Sequence, residues 1–416
     1  MREYRSPHSS HVLVTMTLLL FFCRDSMVST SIVGFYPSQL LNLACIALLG
    51  LAFLWANFRH WREIVTDSRM LLMGIAAAAC FLPMVAKGDW QLMYGSVLLC
   101  VLLGMFMTYF ADWRQLAKWY VCTMAVLGTY SVLAAYGLRQ GVDAGVYSVP
   151  TFVNDAGFEF HNFFLSVVPD IYVKDRNFGI FREPGVYQFF LLLGLYLNND
   201  RVVWDKPWKQ WVINGILGVT MISTFATGGV IEMGLLAVLL FFDKKWYRDK
   251  KLRLAALVLI AGGVALVAYC IVTKNGLYWA VYDMFYGKFL GDNESGPDRI
   301  LSVTVNLRTF LESPLVGKKL RTVLYGVQNN TSSTMILLAA FGLIPTGLHL
   351  AGWLALTWKK ERHALVNLCY YGIMLMSFNT QNMIADIFLW LFPTMALTEW
   401  ILPRMKKSAK GEHNGS

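Results

Sequence analysis

Apolar positions in this chain gather into blocks of about 20 residues, the length that crosses a ~30 Å hydrocarbon core as a helix. The first block starts near His11 and runs to about Val33; Leu40–Phe58, Met70–Ala86, Leu92–Phe110 and Trp119–Leu138 follow. A sixth begins within Asn177–Asn199, and then come Trp211–Thr227, Val230–Phe242, Leu252–Val272, Ser332–Trp358, Ala364–Phe378 and Met383–Leu402. Gly228-Gly229 is read as a tight break between the seventh and eighth blocks. Two long polar-to-mixed stretches, Arg139–Arg182 and Thr273–Thr331, separate the rest, and Arg404–Ser416 is a polar tail expected to be disordered. The pattern predicts an all-α protein: a polytopic transmembrane helical bundle of about twelve spans, one integral domain over residues 1–416, with short amphipathic helices in its two long loops (about 139–182 and 273–331).

Composition agrees with this reading. The chain is 56% hydrophobic and 15% charged, whereas a soluble domain carries about 25% charged residues. Its net charge of +10 calls for no nucleic acid. Most Lys and Arg of the short loops fall on one side of the threading, so the positive-inside rule puts both termini in the cytoplasm and both long loops outside. Met1–Cys23 resembles a signal peptide, but no small-residue cleavage site follows it, and it is read as a retained first span. The seven cysteines lie in or beside apolar blocks without metal-ligand spacing. They are read as small buried hydrophobes.

Candidate chemistry concentrates at Arg182-Glu183-Pro184-Gly185, which abuts the sixth apolar block. Pro184 suits a helix first turn, and Gly185 allows close approach of another group. A charged dyad at the mouth of a membrane helix is costly unless it lines a polar cavity. In the first loop, Phe158, Phe160, Phe163, Phe164 and Val167 of Gly157–Pro169 are expected to lie flat in the membrane interface. Lys174, Asp175 and Arg176 then approach the dyad; Lys174 is read as a snorkelling rim charge. The second loop opens on an aromatic stretch, Gly276–Leu290, whose rings either pack or grip sugar faces. Ser295 or Gly296 then caps a helix, with Pro297 in its first turn, that ends at Glu312 before Pro314. On that helix Ile300, Val303, Leu307, Phe310 and Leu311 share one face, and Arg299, Ser302, Asn306 and Thr309 another. Arg308 and Glu312 are spaced to pair. Arg299 opposes the helix dipole, which argues for an anionic partner elsewhere. Lys318, Lys319 and Arg321 precede the tenth block on the outer side, where orientation gives no reason for positive charge.

Several classes are disfavoured. There is no Walker loop, GxSxG, HExxH or Cys/His zinc array, so neither a nucleotide motor nor a metal enzyme is expected, and no cofactor or metal. His161 and His349 are read as packed or hydrogen-bonded residues. Glu232 is placed to line a cavity, Asp386 to pair with another span, and Glu399 to sit at the cytoplasmic boundary.

Four stretches together resemble the superfamily of O-antigen polymerases and O-antigen ligases, bacterial membrane glycosyltransferases. They are Phe178–Tyr187, which carries GIFREPGVY; Ser223–Glu232, STFATGGVIE; Asp298–Gly317, DRILSVTVNLRTFLESPLVG; and Asn329–Gly342 at the start of a span. The resemblance implies a substrate, an oligosaccharide on a lipid diphosphate such as undecaprenyl diphosphate. It also implies an address, the bacterial cytoplasmic (inner) membrane, with a flippase and a chain-length regulator as companions. Asn329 or Asn330 stands where the ligases of this superfamily carry a histidine, which favours a polymerase of O-antigen, capsule or exopolysaccharide. The paired Arg-x10-Gly motifs of some polymerases do not occur at the loop arginines.

On this reading Arg182, Arg299 and Arg308 stabilise the leaving diphosphate and Glu183 either takes the acceptor proton or pairs with Arg182 or Arg176. Arg176, Lys318, Lys319, Arg321, Asn329 and Asn330 bind substrate. A lipid-linked oligosaccharide flippase or secondary transporter is the rival; it predicts inverted repeats and ionisable groups at mid-bilayer.

Overall fold

The computed structural model describes residues 9–28, 67–109, 112–154, 157–170, 175–274, 295–327 and 330–412, with single positions at 40, 44, 47, 48, 51 and 282. Most of the second block, Lys174, Asn329 and nearly all of the aromatic stretch 276–290 lie outside the described residues. The protein is mostly helical, 73% helix against 4% strand. Among the described residues three helices are long and apolar enough to cross a membrane: Ser68–Lys87, Trp113–Asp143 and Lys250–Thr273.

In chain order the helices are α1 (Ser9–Phe21), α2 (Ser68–Lys87), α3 (Leu92–Met107), α4 (Trp113–Leu133), α5 (Pro184–Asp200), α6 (Pro207–Ser223) and α7 (Thr227–Asp243). They continue as α8 (Lys250–Thr273), α9 (Ser295–Glu312), α10 (Leu320–Tyr325), α11 (Ser333–Phe341), α12 (Leu343–Thr357), α13 (Ala364–Phe378) and α14 (Ile387–Glu412). Their starts are written locally. Asp67, Asp112 and Asp249 accept backbone N–H bonds at the heads of α2, α4 and α8, while Pro184 and Pro207 occupy the first turns of α5 and α6.

The bundle is built around α5. From Val186 to Asp200 every residue of it is buried, as expected of a helix apolar on all sides. Packed against it are α4, α6, α7 and α13, and a second group joins α14 to α3 and α12. The outermost helix is α8, where Leu257, Val258, Val264 and Val272 are 57–83% exposed.

Four expectations need correction. The first loop does not form an interfacial amphipathic helix. It folds as a three-stranded antiparallel sheet, β1 (Thr151–Val153), β2 (Glu159–Asn162) and β3 (Val167–Pro169). Gly157, at φ +82°, makes the turn, and Phe160, stacked on Phe152 and edge-on to Phe178, gives the sheet its own core. The break after α6 falls at Thr224–Ala226, with Phe225 at φ +47°, so that Gly228 and Gly229 enter the first turn of α7. The tenth block is two helices, because Gly342 at φ +77° interrupts it. Lastly, α14 carries on through Glu412 rather than giving way at Arg404, since the residues after Pro403 are mostly good helix formers.

The loop helix α9 has the bounds the sequence suggests, with its two faces assigned by the packing. Ser302 and Asn306 are buried while Ile300, Leu301, Leu307 and Leu311 are exposed. Its polar face therefore turns into the protein.

Candidate functional site

The four-residue mouth of α5 is held from an unexpected direction. Just past α1 the chain pairs with the segment leading to α5: Ser26 bridges Phe181, the Met27 N–H donates to Ile180 O at 2.6 Å, and the Arg182 N–H donates to Asp25 O at 3.0 Å. The Arg182 guanidinium then spends all three nitrogens. Nε donates to Asp25 Oδ1 at 2.5 Å, Nη1 to Glu183 Oε1 at 2.9 Å and Nη2 to Asn382 O at 3.2 Å. Asp25 is buried, whereas about a third of the Arg182 side chain reaches solvent. Burial opposes the charge on Arg182, but Asp25 and Glu183 outweigh it and hold the guanidinium's pKa above the ordinary arginine value.

Next to this pair lies a cluster of ionisable side chains. Asp386, at 0% exposure, accepts the Phe388 N–H at 2.8 Å and shares an electrostatic neighbourhood with Arg24 and Asp25. Arg24 Nη1, Asp25 Oδ2 and Asp386 Oδ2 are buried without hydrogen-bond partners.

A polar segment, Ser377–Asn382, links α13 to α14 and is laced to α5 and α11 and, through Gln188, to α7. Gln188 of α5 donates to Thr380 Oγ1 at 3.1 Å and accepts the Gly229 N–H of α7 at 2.6 Å. Asn379 Oδ1 accepts from Ser332 Oγ at 3.0 Å and from the Thr334 N–H at 2.8 Å, while Ser333 Oγ donates to Gln381 O at 2.6 Å. A Cβ on Gly229 would stand 2.7 Å from the Gln188 side chain, and one on Gly185 2.6 Å from Gln381 Nε2, so both glycines serve close approach. At the Asn382 end of the segment lies Arg182. At the Ser377 end lies Glu232, 1% exposed with Oε2 unpartnered; its carboxylate faces Ser377 and interacts with the charge of Arg299. Nearby, Arg176 Nε donates to Thr224 O at 3.1 Å across the break between α6 and α7.

Of the predicted site residues, Arg182 reaches the Asn382 end of this segment with Glu183 bonded to it, Arg176 is tied to the break before α7, and Arg299 acts electrostatically on Glu232. Arg308 stands apart, about 13.5 Å farther along α9 at 1.5 Å per residue. It does not pair with Glu312, which instead binds Lys318 at 3.3 Å. Arg308, Lys319 and Arg321 are exposed and, among the described residues, have no carboxylate partner. Asn330 is a clasp: its Oδ1 accepts from Ser302 and Asn306 at 2.8 Å each, and its Nδ2 donates to Val323 O at 2.8 Å. Those bonds seat the polar face of α9. Lys87 holds the same region, donating to Lys318 O at 2.9 Å and to Ala340 O.

Asp25, Gln188 and the segment Ser377–Asn382 were not singled out by sequence reasoning; the one available signal was a run of polar residues between two apolar blocks. His161 bonds Asp170 at 3.0 Å, and His349 packs between Trp353, Phe378 and Trp390. Glu399 accepts from Trp113 Nε1 at 2.8 Å. Among the described residues no three His, Cys, Asp or Glu side chains converge where a metal ion could be held. A hollow of about 400 Å³ lies beside the sheet, lined by Tyr130, Leu138, Tyr147, Val149, Phe163 and Phe164 among others. The Tyr130 and Tyr147 hydroxyls are spent on backbone carbonyls, so those two walls are apolar.

What the arrangement offers chemically is a fixed, partly exposed guanidinium, an adjacent carboxylate and a dense set of amide and hydroxyl groups. Comparison of the chain with protein-family models, with curated proteins and with solved structures finds no match.

Proposed function

We propose that this protein is a bacterial membrane glycosyltransferase of about twelve spans, a polymerase of O-antigen, capsule or exopolysaccharide. It joins undecaprenyl-diphosphate-linked repeat units on the outer face of the cytoplasmic membrane, alongside a flippase and a chain-length regulator. The observation that carries the reading is Arg182, whose guanidinium is fixed at the mouth of the central helix, partly open to solvent and beside the polar segment Ser377–Asn382. A diphosphate leaving group needs a preset cation of this kind, and a glycan needs the neighbouring amides and hydroxyls. The inward polar face of α9 and the outward apolar face of α8 support immersion in lipid.

In the reaction the acceptor hydroxyl oxygen attacks the anomeric carbon while the bond from that carbon to the diphosphate oxygen breaks. The bonding pair leaves with the diphosphate, against Arg182 and Arg299. The hydroxyl proton passes to Glu183, whose Oε1 is held by Arg182 and whose Oε2 carries no hydrogen bond among the described residues. The exposed Arg308, Lys319 and Arg321 draw anionic headgroups towards the site.

The test is reconstitution in proteoliposomes with lipid-linked repeat units. Wild-type protein is expected to build ladders of increasing glycan length, and Arg182→Ala to lose about 10²–10³ in rate, by analogy with oxyanion-hole donors. A second reading, a flippase or secondary transporter, is favoured by the buried group Arg24, Asp25 and Asp386, since ionisable groups inside a bundle often mark a transport path. Translocation of the substrate without elongation would establish it and end the polymerase reading.

A further inference from the structure

We infer that Asp25 is the positioning residue for Arg182: a buried carboxylate, delivered from the far end of the chain, that aims the guanidinium at the substrate's diphosphate. The inference rests on the reading of Arg182 as the diphosphate contact. It goes beyond that reading by assigning the group that sets the contact's geometry.

An arginine side chain has four rotatable bonds, and at a solvent boundary it samples many rotamers. A preset contact requires that this freedom be removed before substrate arrives. Here the removal is two-fold. The Arg182 backbone is fixed because its N–H donates to Asp25 O at 3.0 Å, flanked by the Ser26–Phe181 bridge and the Met27–Ile180 bond. The head group is fixed because Nε donates to Asp25 Oδ1 at 2.5 Å. One residue thus holds both ends of the same side chain. Glu183 lies on the solvent side, 43% exposed, whereas the Asp25 side chain is 2% exposed; the buried partner is the one that defines direction. Nη1 and Nη2 are left pointing towards Glu183 and Asn382, the edge at which a phosphate would form its forked contact.

Among the described residues Asp25 has no other hydrogen-bonded side chain on it. Among those same residues its Oδ2 is buried and unpartnered, and the Arg24 and Asp386 side chains lie in the same neighbourhood. Within the described residues this buried carboxylate has one hydrogen-bonded cation to serve, and that cation is Arg182.

The experiment measures elongation in proteoliposomes, using undecaprenyl-diphosphate-linked repeat units extracted from source cells that lack this protein. Wild type, Asp25→Asn, Asp25→Glu, Arg182→Lys and the double variant Asp25→Asn/Arg182→Lys are compared. Asp25→Asn is expected to lower kcat about 10–100-fold with KM within threefold, the range of a weakened transition-state contact. The double variant is expected to lose no more than the worse single variant, because both changes disable the same contact. Asp25→Glu, which keeps the charge, is expected to recover at least a third of the lost rate. An Asp25→Asn rate within twofold of wild type overturns the inference, as do losses that multiply in the double variant. If Asp25→Asn fails to accumulate in membranes, the comparison of Asp25→Glu with Arg182→Lys and their double variant decides by the same criterion of non-additivity. A wild-type protein that builds no ladder would instead remove the polymerase reading itself.

Discussion

In the proposed mechanism Glu183 is divided between two tasks. Oε1 accepts from Arg182 at 2.9 Å, which orders the side chain at the head of α5 without capping that helix. A general base contributes about 10²–10⁴ in rate. Glu183→Gln, which can keep the bond to Arg182, is therefore expected to reduce kcat by that range while binding of undecaprenyl diphosphate stays within threefold. More than a tenth of wild-type activity in the variant would reduce Glu183 to a partner of Arg182. The pairing with Arg182 was visible in the sequence as adjacency. The pairing with Asp25 was not, because 157 residues separate the two and nothing local links an aspartate after α1 to an arginine before α5.

At the scale of elements, the far end of α5 is tied by a different device. Asp200 is fully buried and meets three cations, Arg201 at 3.1 Å, Lys359 at 2.9 Å and Arg362; Arg362 also binds Asp243 at 3.0 Å, which joins α5, α7 and the turn before α13. Burial would raise the Asp200 carboxyl, but Arg201, Lys359 and Arg362 outweigh it and hold it below the ordinary aspartate range. A depressed folded value means stabilisation that is complete above the ordinary value near ~3.9 and is lost as pH falls through the folded one. Asp200→Asn is expected to cost about 3–5 kcal/mol, the cost of stranding buried charges. In thermal unfolding in detergent the variant should also lose the wild type's decline in stability below about pH 4. The break between α11 and α12 makes a second test. Gly342 lies at φ +77°, and a Cβ there would come 2.2 Å from Leu315 O. Gly342→Ala is expected to destabilise by at least about 1–3 kcal/mol from backbone strain alone, read as a lower unfolding temperature. An unchanged temperature would show that neither the backbone at residue 342 nor the contact with Leu315 O constrains this position.

For the whole molecule, the proposed threading assigns Tyr325 to the outer side and Arg248 to the cytoplasm. Both residues are exposed, so each can be replaced by Cys in a background whose exposed Cys369 is Ser. A membrane-impermeant maleimide added to intact spheroplasts is expected to label Tyr325→Cys and to reach Arg248→Cys only after lysis. The opposite pattern would invert the orientation and put Arg182 on the cytoplasmic face, where undecaprenyl-linked glycans are assembled rather than polymerised.

Local chemistry made much of the architecture legible. Ala364–Phe378 is a helix with the bounds its apolar run suggests, and Ser295–Glu312 is one because Pro297 starts it and Pro314 ends its neighbourhood. The first loop misled because Phe158, Phe160 and Phe163 read as apolar mass for an interface, whereas cross-strand pairing such as Thr151 with His161 and Phe160 with Pro169 built a sheet around Phe160. The sequence by itself determined that apolar helices would dominate and that Arg182-Glu183 would stand at the head of one of them, since helix length, proline placement and capping act within a few residues. Only the tertiary structure decided what that dyad meets. Asp25 and Asn382 come to it from distant parts of the chain because a half-buried guanidinium must find a carboxylate and further acceptors wherever the packing of α5 brings them.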